Sequence, residues 1–576
     1  MGDAQSGSGI GTAETTRRGF VRGAGMALAA GVASGVATSA LASESDRDED
    51  AFAKKTSTSA PAGVPDAWDF ETDVLVIGYG GAGLWAALTA FDEGGSDVLV
   101  LEKAPVRGGG NSSINMGEFT WVDDVEKATK YITGFSKGYT PEDLARAWAT
   151  EAARNLEYCE HWGANPETKS GTNASRGKRS CEYPDVEGSE AMYVCTVGNN
   201  GNGFWEMLDA KRAELGIEVK FSCHDEHLIQ NPDTKEILGA WTLIGDDETP
   251  RAVKARKGVI LTLGGFEFNE DMKQQYLRCY PMRGFYGWPF NTGDGFPMIA
   301  EVNAQLWNMN GVIGNANAWI KESGIDYAFM LNPKSDNYVY VDQHGNRWRD
   351  ESTPFNPHLG WHEFMHFDDG DEIGYDRIPT WVIMDKNAMA GRLGQAKGGD
   401  LSNPAFTTSI GMMLDDVPPE CGAFEGWSED NSVELEKGWI KQGDTIEELL
   451  ASIDEEDRPD VDATVATIER YNSFCETGED ADFARDARRM APVAEPPFYA
   501  YPLYPGGCTT LGGPKKNVNA QVLDTADQVI PRLYAAGSFG NIQRHTYGIS
   551  GGGNGENMVW GRIAGRHCAG LEPWDA

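Results

Sequence analysis

A glycine-rich turn between a buried strand and a helix carries the most specific chemical signal in the sequence. The run Gly78-Tyr79-Gly80-Gly81-Ala82-Gly83 follows the strand-like segment 73–77, which is apolar from Val74, and precedes a helical stretch that starts at Leu84. The glycines at its first, third and sixth positions permit a tight turn, a close approach of the backbone to a pyrophosphate, and close packing of helix on strand. A second strand ends at Glu102, whose carboxylate can accept hydrogen bonds from a ribose. The pattern predicts a dinucleotide site.

Short segments further along the chain resemble one superfamily, both in residue type and in order. They are Arg107-Gly108-Gly109-Gly110-Asn111-Ser112-Ser113, Gly264-Gly265-Phe266, Thr292-Gly293-Asp294-Gly295, Glu469-Arg470-Tyr471-Asn472, Asp480-Ala481-Asp482-Phe483, Pro496-Pro497-Phe498-Tyr499 and Leu533-Tyr534-Ala535-Ala536-Gly537. Over about residues 70–570 they resemble the FAD-binding superfamily of soluble fumarate reductases, urocanate reductases and 3-ketosteroid dehydrogenases. The resemblance implies FAD. We expect it to be non-covalent, because residues 109–117 contain no histidine to tether it.

The resemblance also implies an α/β fold, in which a Rossmann-like FAD-binding domain carries an inserted α+β cap domain for the substrate. We predict the FAD-binding domain at residues 67–310 and 501–576, and the cap at residues 311–500. The cofactor contacts are expected from the glycine turn, from the loops after the strands and from the start of the last helix. These residues are Gly78, Gly80, Gly81, Ala82, Gly83, Glu102, Lys103, Gly109, Gly110, Asn111, Ser112, Gly264, Asp294, Gly537, Ser538, Gly553 and Asn554.

The superfamily implies hydride transfer between the flavin N5 atom and a carbon beside a polarised double bond, with a side chain that handles the proton. Fumarate reductases grip their dicarboxylate with arginines. The positions that match those arginines are Gly548 and Met389 here, and Arg392 lies three residues beyond the second. A carboxylate clamp needs guanidinium groups, so a small dicarboxylate is not the expected substrate.

The match to 3-ketosteroid dehydrogenases concerns the group that polarises the substrate. In that family a tyrosine hydroxyl and the N–H of a glycine four residues later both hydrogen-bond a carbonyl oxygen, and Tyr547 and Gly551 keep this spacing. Two such donors stabilise a developing enolate. The tyrosine that abstracts a proton in that family is replaced by Phe355, within Asp350-Glu351-Ser352-Thr353-Pro354-Phe355. Phenylalanine carries no proton, which disfavours steroid dehydrogenation.

Other candidates for proton handling lie near these positions. Arg544 and His545 precede Tyr547, and they either satisfy each other in a polar loop or bind substrate and deliver a proton. Three further histidines repeat at four-residue spacing, namely His358, His362 and His366. Two histidines spaced in this way on a helical face can bind zinc, but no cysteine accompanies them, and we predict no metal. Two interpretations of the three histidines remain open. They either form a stripe that faces the substrate or lie on an ordinary exposed face.

The composition excludes several classes of function. The chain has 88 acidic and 49 basic residues, for a net charge of −39, which repels nucleic acid and anionic lipid alike. None of its nine cysteines lies in a Cys-x-x-Cys pair, which argues against a zinc ribbon, a ferredoxin-type cluster or a covalently attached haem. We therefore expect no nucleic-acid partner. We expect a separate electron donor, either a cytochrome, a quinol-linked protein or a flavoprotein.

The N-terminus resembles an export signal. The segment Thr16-Arg17-Arg18-Gly19-Phe20-Val21-Arg22 precedes a weakly apolar run of small residues, and Ala40-Leu41-Ala42 offers a cleavage site. Paired arginines are typical of the twin-arginine route. We predict a signal at residues 1–42, a flexible linker at 43–66, and a mature protein in the periplasm or on the outer cell surface that is not embedded in the membrane.

Three hypotheses about function follow. The leading one is an exported FAD enzyme that reduces a carbon–carbon double bond conjugated to a carbonyl group, as a terminal step of anaerobic respiration. The second is a dehydrogenase of the 3-ketosteroid type, which introduces such a bond. The third is a flavoprotein that relays electrons without turning over a substrate, and Phe355 and Met389 are the replacements that keep this hypothesis open.

Overall fold

A computed structural model describes most of the chain beyond the linker. The described residues are 63–115, 117–163, 167–168, 181–196, 202–322, 325–370, 373–391, 393–395, 427–543 and 546–576. The predicted export signal lies outside these ranges, as do three of the predicted catalytic residues, Arg392, Arg544 and His545. All the described residues belong to one compact unit, Glu49–Ala576.

The strands of the described residues form two large sheets and two small ones. They are β1 (Phe70–Ile77), β2 (Val98–Leu101), β3 (Glu118–Val122), β4 (Glu167–Thr168), β5 (Met192–Thr196), β6 (Glu218–Lys220), β7 (Cys223–Gln230), β8 (Ile237–Ile244), β9 (Asp247–Leu261), β10 (Leu306–Glu322), β11 (Ile325–Phe329), β12 (Leu331–Asn332), β13 (Tyr338–Val341), β14 (Thr380–Met384), β15 (Gly394–Gln395), β16 (Lys441–Gly443), β17 (Phe498–Pro514), β18 (Gln521–Leu523) and β19 (Val529–Ala535).

The helices of the described residues cover both large sheets. They are α1 (Gly81–Asp92), α2 (Val125–Phe135), α3 (Glu142–Ala152), α4 (Asn155–His161), α5 (Asn202–Glu214), α6 (Glu270–Tyr276), α7 (Gly295–Glu301), α8 (Ser432–Glu436), α9 (Ile446–Ala451), α10 (Val461–Thr477) and α11 (Gly552–Ala569). None of the helices in these ranges is long and apolar enough to cross a membrane.

The first sheet has the strand order β18-β19-β9-β1-β2-β6, with β8 paired to β9 and β7 to β8. β1 pairs in parallel with both β2 and β9, and its residues 72–77 are all buried. A parallel strand covered on both faces has a continuous apolar sequence, as residues 74–77 show. Helix α11 packs against α1, because Gly561 and Gly565 bring the two helix backbones close together.

The carboxyl edge of this sheet gathers the predicted cofactor segments. The glycine turn follows β1, Glu102 follows β2, Gly264 lies just after β9, and Gly537 lies just after β19. The strands β2, β1, β9 and β19 are neighbours and run parallel, so their carboxyl ends meet at one edge. Ligands of open α/β sheets bind at this edge. The predicted fold class is confirmed.

The second sheet is antiparallel, with the order β11-β10-β17-β14-β13 and with β16 on β17. Its centre is the long pair of β10 and β17, which runs from Leu306 opposite Pro514 to Ala318 opposite Leu503. Both predicted boundaries of the cap, after residues 310 and 500, fall inside these two strands. Both predicted boundaries therefore interrupt strands of one continuous sheet.

Buried ion pairs connect separate segments of the predicted cap. Arg347 Nε lies 2.7 Å from Glu351 Oε1, and Arg347 Nη2 lies 3.0 Å from Asp480 Oδ2. Arg485 Nη1 lies 3.2 Å from Glu351 Oε2. All four side chains are buried, and a buried charge of this kind is tolerated when it is paired and hydrogen-bonded. The acidic residues of two family motifs thus have a structural role here.

Candidate active site

One cavity, of about 290 Å³, brings the predicted residues of both sheets together. It runs from the glycine turn of the first sheet to strands β10 and β17 of the second. Gly83 and Gly109 do not line it. The predicted residues that line it are Gly78, Gly80, Gly81, Ala82, Glu102, Lys103, Gly110, Asn111, Ser112, Gly264, Asp294, Gly537, Ser538, Tyr547, Gly551, Gly553 and Asn554.

The glycine turn has the shape that a pyrophosphate requires. A Cβ atom placed on Gly83 would lie 2.1 Å from the carbonyl oxygen of Gly78, so only glycine allows α1 to pack so close to the end of β1. A Cβ atom on Gly80 would have only the carbonyl oxygen of Gly109 near it, at 3.7 Å. Gly80 therefore presents bare backbone to open space in the cavity. This is the fit expected for a dinucleotide above the N-terminus of α1.

Glu102 is fixed at the end of β2 by backbone hydrogen bonds. The N–H groups of Tyr79 and Ala104 each donate to one of its carboxylate oxygens, at 2.8 Å in both cases. Burial raises the pKa of Glu102. Each oxygen keeps a further lone pair, so the group can still accept from ribose hydroxyls as predicted.

Three further ionisable residues lie at this end of the cavity, namely Lys103, Asp294 and Glu226. Lys103 Nζ donates to Asp294 Oδ2 at 2.5 Å and to Thr292 Oγ1 at 2.6 Å. Glu226 lines the cavity beside them, and burial with the nearby charge of Asp294 raises its pKa to about 8. Its carboxyl group is therefore protonated at neutral pH and can donate a hydrogen bond. Glu226 lies in the middle of β7, in no recognisable motif, and the sequence offered no signal for it.

Amide side chains form a wall of the cavity that includes residues next to the glycine turn. Asn111 Nδ2 donates to Glu267 Oε1 at 2.9 Å and to the carbonyl oxygen of Cys508 at 2.8 Å. Asn557 Nδ2 donates to Ser112 Oγ at 3.0 Å, and Asn115 Nδ2 donates to Asn554 Oδ1 at 3.1 Å. Sequence reasoning missed Asn115 and Asn557. Both line the cavity, and Asn557 lies one helical turn beyond the predicted Gly553-Asn554 pair.

Tyr547 lies on the same cavity, with only 4 % of its surface exposed. Its ring packs against Ile313 and Leu511. Its hydroxyl oxygen accepts a hydrogen bond from the N–H of Gly553 at 3.2 Å. Burial raises the pKa of Tyr547 above its ordinary value, so the phenol stays protonated and can donate.

Gly551 lies on the cavity beside Tyr547, at the N-cap of α11. Its φ of 70° is in the left-handed region that favours glycine, and a Cβ there would lie 2.9 Å from the backbone carbon of Phe119. The turn that leads into α11 therefore needs glycine at this position. It brings the positive end of the helix dipole to the cavity wall.

The two positions that match the arginines of fumarate reductases are tightly packed here. A Cβ on Gly548 would lie 2.6 Å from the ring of Phe135. The carbonyl oxygen of Gly548 accepts a hydrogen bond from the Tyr131 hydroxyl at 2.5 Å. Met389 is buried in the core of the second sheet. Among the residues that the structure describes, no arginine lines the cavity.

Phe355 is packed away from the cavity. Its ring stacks on those of Tyr340 and Phe364, with centroid distances of 5.7 and 5.8 Å. The guanidinium carbon of Arg349 lies 3.8 Å from its ring centroid. Phe355 is not among the described residues that line the cavity. The position thus lacks both a proton carrier and access to substrate.

The three histidines with four-residue spacing do not share a helical face. Only His362 lies in the short 3₁₀ helix Gly360–Phe364, where it packs on Trp361. His366 Nδ1 lies 2.9 Å from Asp376 at the surface. His358 lines the cavity, with Nδ1 2.6 Å from Glu182 Oε1. The hypothesis of a helical stripe is therefore wrong, and within the described ranges no three potential ligands cluster as a metal site would need.

Comparison with known proteins agrees with the geometry. The family model described as FAD binding domain matches residues 73–555. The chain is 27% identical to a digoxin reductase of Eggerthella lenta, over 97% of this chain and 98% of that protein. It is 26% identical to a 3-oxosteroid 1-dehydrogenase of Mycolicibacterium smegmatis, over 86% of this chain and 96% of that protein.

Solved structures show the same fold. The crystal structure of a 3-ketosteroid Δ1-dehydrogenase from Sterolibacterium denitrificans matches with a TM-score of 0.66 and 19% identity, and covers 87% of this chain and 99% of that one. The predicted superfamily and the predicted FAD cofactor are confirmed. The chain belongs to the FAD binding domain family and is an FAD-dependent oxidoreductase that acts on carbon–carbon bonds.

Proposed function

We propose that the enzyme reduces a carbon–carbon double bond conjugated to an uncharged carbonyl group, with electrons from a separate donor protein. The observation that carries this proposal is the position of Tyr547. Its buried, protonated hydroxyl lines the same cavity as the glycine turn that fits FAD.

The chain's own residues polarise the substrate. The Tyr547 hydroxyl donates to the substrate carbonyl oxygen while its own oxygen accepts from Gly553 N–H at 3.2 Å. A hydroxyl that accepts one hydrogen bond donates another more strongly. The N-terminus of α11, which begins after Gly551, adds a positive potential at this wall. Together they stabilise the negative charge that develops on the carbonyl oxygen during reduction.

The family's cofactor supplies the redox chemistry. When bound in its reduced form, FAD would supply a hydride, which carries both electrons, to the carbon β to the carbonyl. We assign the binding of FAD to the glycine turn, to Glu102 and to the wall of amide side chains around Asn111. Ser112 and Asn557 fix each other through a 3.0 Å hydrogen bond, which keeps this wall rigid.

The lining of the cavity supports an uncharged substrate. Lys103 is already paired with Asp294, and no arginine lines the cavity among the described residues. A dicarboxylate would leave its charges unpaired in a buried site, at a cost of several kcal/mol for each ion. An uncharged enone needs only hydrogen-bond donors for its oxygen.

We also propose that the mature protein works outside the cytoplasm and ends a chain of anaerobic electron transfer. The support is the twin-arginine pattern at Arg17 and Arg18, together with the lack of any haem-attachment motif for an internal electron relay. The net charge of −39 suits a donor with a basic docking surface.

A screen of the reduced protein tests this proposal. The holoenzyme is reduced with stoichiometric dithionite without oxygen and mixed with enones, enoates, steroids or aryl acrylates, and flavin absorbance is followed. We expect fast reoxidation by at least one uncharged enone, slow reoxidation by fumarate, and a saturated ketone as product. Reoxidation by none of the conjugated carbonyl compounds would contradict the proposal.

Dehydrogenation is the second candidate. It is favoured by the named activity of the M. smegmatis relative and by Tyr286, a second phenol on the cavity wall. However, burial raises the pKa of Tyr286, which makes it a poor base near neutral pH. Fast oxidation of a saturated ketone with a dye acceptor, without any enone-driven reoxidation, would favour this candidate.

A further inference from the structure

We propose that His358 is the catalytic residue that delivers the proton, and that Glu182 is the positioning residue that orients it. The inference rests on the proposed enone reduction and extends it to proton delivery. The predicted donors Arg544 and His545 lie outside the described residues. Among the described residues, Phe355 does not line the cavity and Tyr547 is assigned to the carbonyl oxygen.

The location of His358 is the first support. It lines the cavity that Tyr547 and Gly551 also line, and its ring meets the Tyr547 ring edge to face at a centroid distance of 5.2 Å. A quarter of its side chain is exposed, 25 %, so it reaches solvent for reprotonation. Its backbone is fixed, because Gly314 N–H donates to the His358 carbonyl oxygen at 2.9 Å.

The environment of Glu182 is the second support. Glu182 Oε1 lies 2.6 Å from His358 Nδ1 and accepts from Ser550 Oγ at 2.6 Å. Asn356 Nδ2 donates to the other oxygen at 3.3 Å, and the Glu182 N–H donates to the Gly548 carbonyl oxygen at 3.0 Å. This carboxylate therefore joins the cap loop that carries His358 to the segment that carries Tyr547.

The charge of Glu182 suits the positioning role. Burial opposes its ionisation, but the hydrogen bond and positive charge of His358 and the hydrogen bond from Ser550 lower the pKa of Glu182 to about 2. A fixed carboxylate on Nδ1 holds the imidazole in one orientation and leaves the opposite nitrogen, Nε2, to carry the mobile proton.

The step balances with one hydride from the reduced cofactor and one proton that water finally supplies. With reduced FAD bound, the β-carbon would gain the hydride and the electron pair of the double bond would move toward the carbonyl oxygen held by Tyr547. The Nε2–H bond of the His358 imidazolium then breaks and its proton bonds to the α-carbon as the carbonyl re-forms. His358 is left neutral and takes a proton from water.

The test compares His358→Gln and Glu182→Gln with a matched control, His366→Gln. The control removes a second histidine–carboxylate pair, His366 with Asp376, which lies at the surface with 54 % of the histidine side chain exposed. Each holoenzyme is reduced with dithionite, and the rate of reoxidation by an enone that oxidises the wild type is measured from pH 5 to 9. Bound FAD is measured from the visible spectrum in every variant.

The expected wild-type rate falls as the pH rises, as it does when a general acid delivers the proton. His358→Gln should lower the rate about 100-fold or more and remove this pH dependence, as loss of a general acid does. Glu182→Gln should change the pH profile of the rate, because the imidazole loses the carboxylate that orients it. His366→Gln should match the wild type. The titratable groups in contact with His358 in the described structure are Glu182 and Tyr547. Glu118 and Cys508 line the same cavity and act electrostatically on Tyr547.

Two results would overturn this inference while the proposed function stands. One is a His358→Gln enzyme, with FAD bound, that keeps the wild-type rate and pH dependence. The other is loss of the pH dependence in His545→Gln but not in His358→Gln. If His358→Gln does not retain FAD, the pH profile of Glu182→Gln is the deciding measurement. A changed profile supports the inference, and an unchanged profile contradicts it. Wild-type enzyme that no enone reoxidises would overturn the proposed function and this role with it.

Discussion

The N–H of Gly553, in the first turn of α11, donates to the hydroxyl oxygen of Tyr547 at 3.2 Å. This contact fills one acceptor position of the phenol and leaves its proton for a second partner. Both residues line the cavity that the glycine turn also lines. A donor aimed into the cofactor cavity is the feature on which the proposed enone reduction depends.

Replacement of Gly80 should remove FAD without unfolding the chain. A valine there has room in the protein itself, since a Cβ would meet only the Gly109 carbonyl oxygen at 3.7 Å, but it would occupy the space of the pyrophosphate. We expect Gly80→Val to purify colourless, with its circular dichroism preserved. Gly374→Val is the control, because a Cβ at Gly374 meets no atom within 4 Å and Gly374 does not line the cavity. A full complement of FAD in Gly80→Val would contradict the assignment.

Restoring a tyrosine at position 355 should not restore dehydrogenation. The Phe355 ring is held between Tyr340, Phe364 and Arg349 and is absent from the described cavity lining. We expect Phe355→Tyr to oxidise a saturated ketone with a dye acceptor no faster than the wild type. A tenfold gain in that assay would show that this position reaches the substrate.

A side chain at Gly548 should destabilise the protein rather than create a carboxylate clamp. A Cβ there would lie 2.6 Å from the ring of Phe135, which has to move. Overpacking of this kind costs about 1–3 kcal/mol, so Gly548→Ala should lower the melting temperature. Adding Phe135→Leu should recover part of that loss in a double-mutant cycle. If the effects of the two changes on the free energy of unfolding are strictly additive, the contact between residue 548 and the Phe135 ring does not cause the loss.

Export should depend on the paired arginines. Replacing both Arg17 and Arg18 with lysine keeps the charge but removes the pair that the twin-arginine route requires. We expect the double variant to accumulate inside the cell, with FAD bound and with residues 1–42 still attached. Normal export and cleavage of the double variant would contradict the proposed route.

Most of the residues predicted to bind the cofactor line one cavity, and this agreement has a physical reason. The turn from Gly78 to Gly83 and the acid at Glu102 belong to one short strand–helix–strand unit, so local spacing determines their geometry. The confirmed family and fold follow from the same segments. Glu226 and Asn557 could not be predicted, because their place on the cavity depends on how distant elements pack.

The substrate half was less predictable. Four-residue spacing suggested one helical face for three histidines, but only His362 lies in the short 3₁₀ helix. The partner of His358 is Glu182, 176 positions away in the sequence, and no local pattern connects them. The spacing of Tyr547 and Gly551 came from the resemblance alone. The structure places both on the cavity, while their roles stay a proposal.

Single turnover of Tyr547→Phe is the most direct test of the proposed carbonyl polarisation. The variant removes one hydroxyl, and loss of one such donor lowers the rate by about 100–1,000-fold. Tyr534→Phe is the control, because that phenol is buried but bonds His567 and does not line the cavity. We predict that enone-driven reoxidation of reduced Tyr547→Phe is slower by about 100–1,000-fold, with FAD retained and with the control at the wild-type rate. Reoxidation of Tyr547→Phe at the wild-type rate would contradict the account.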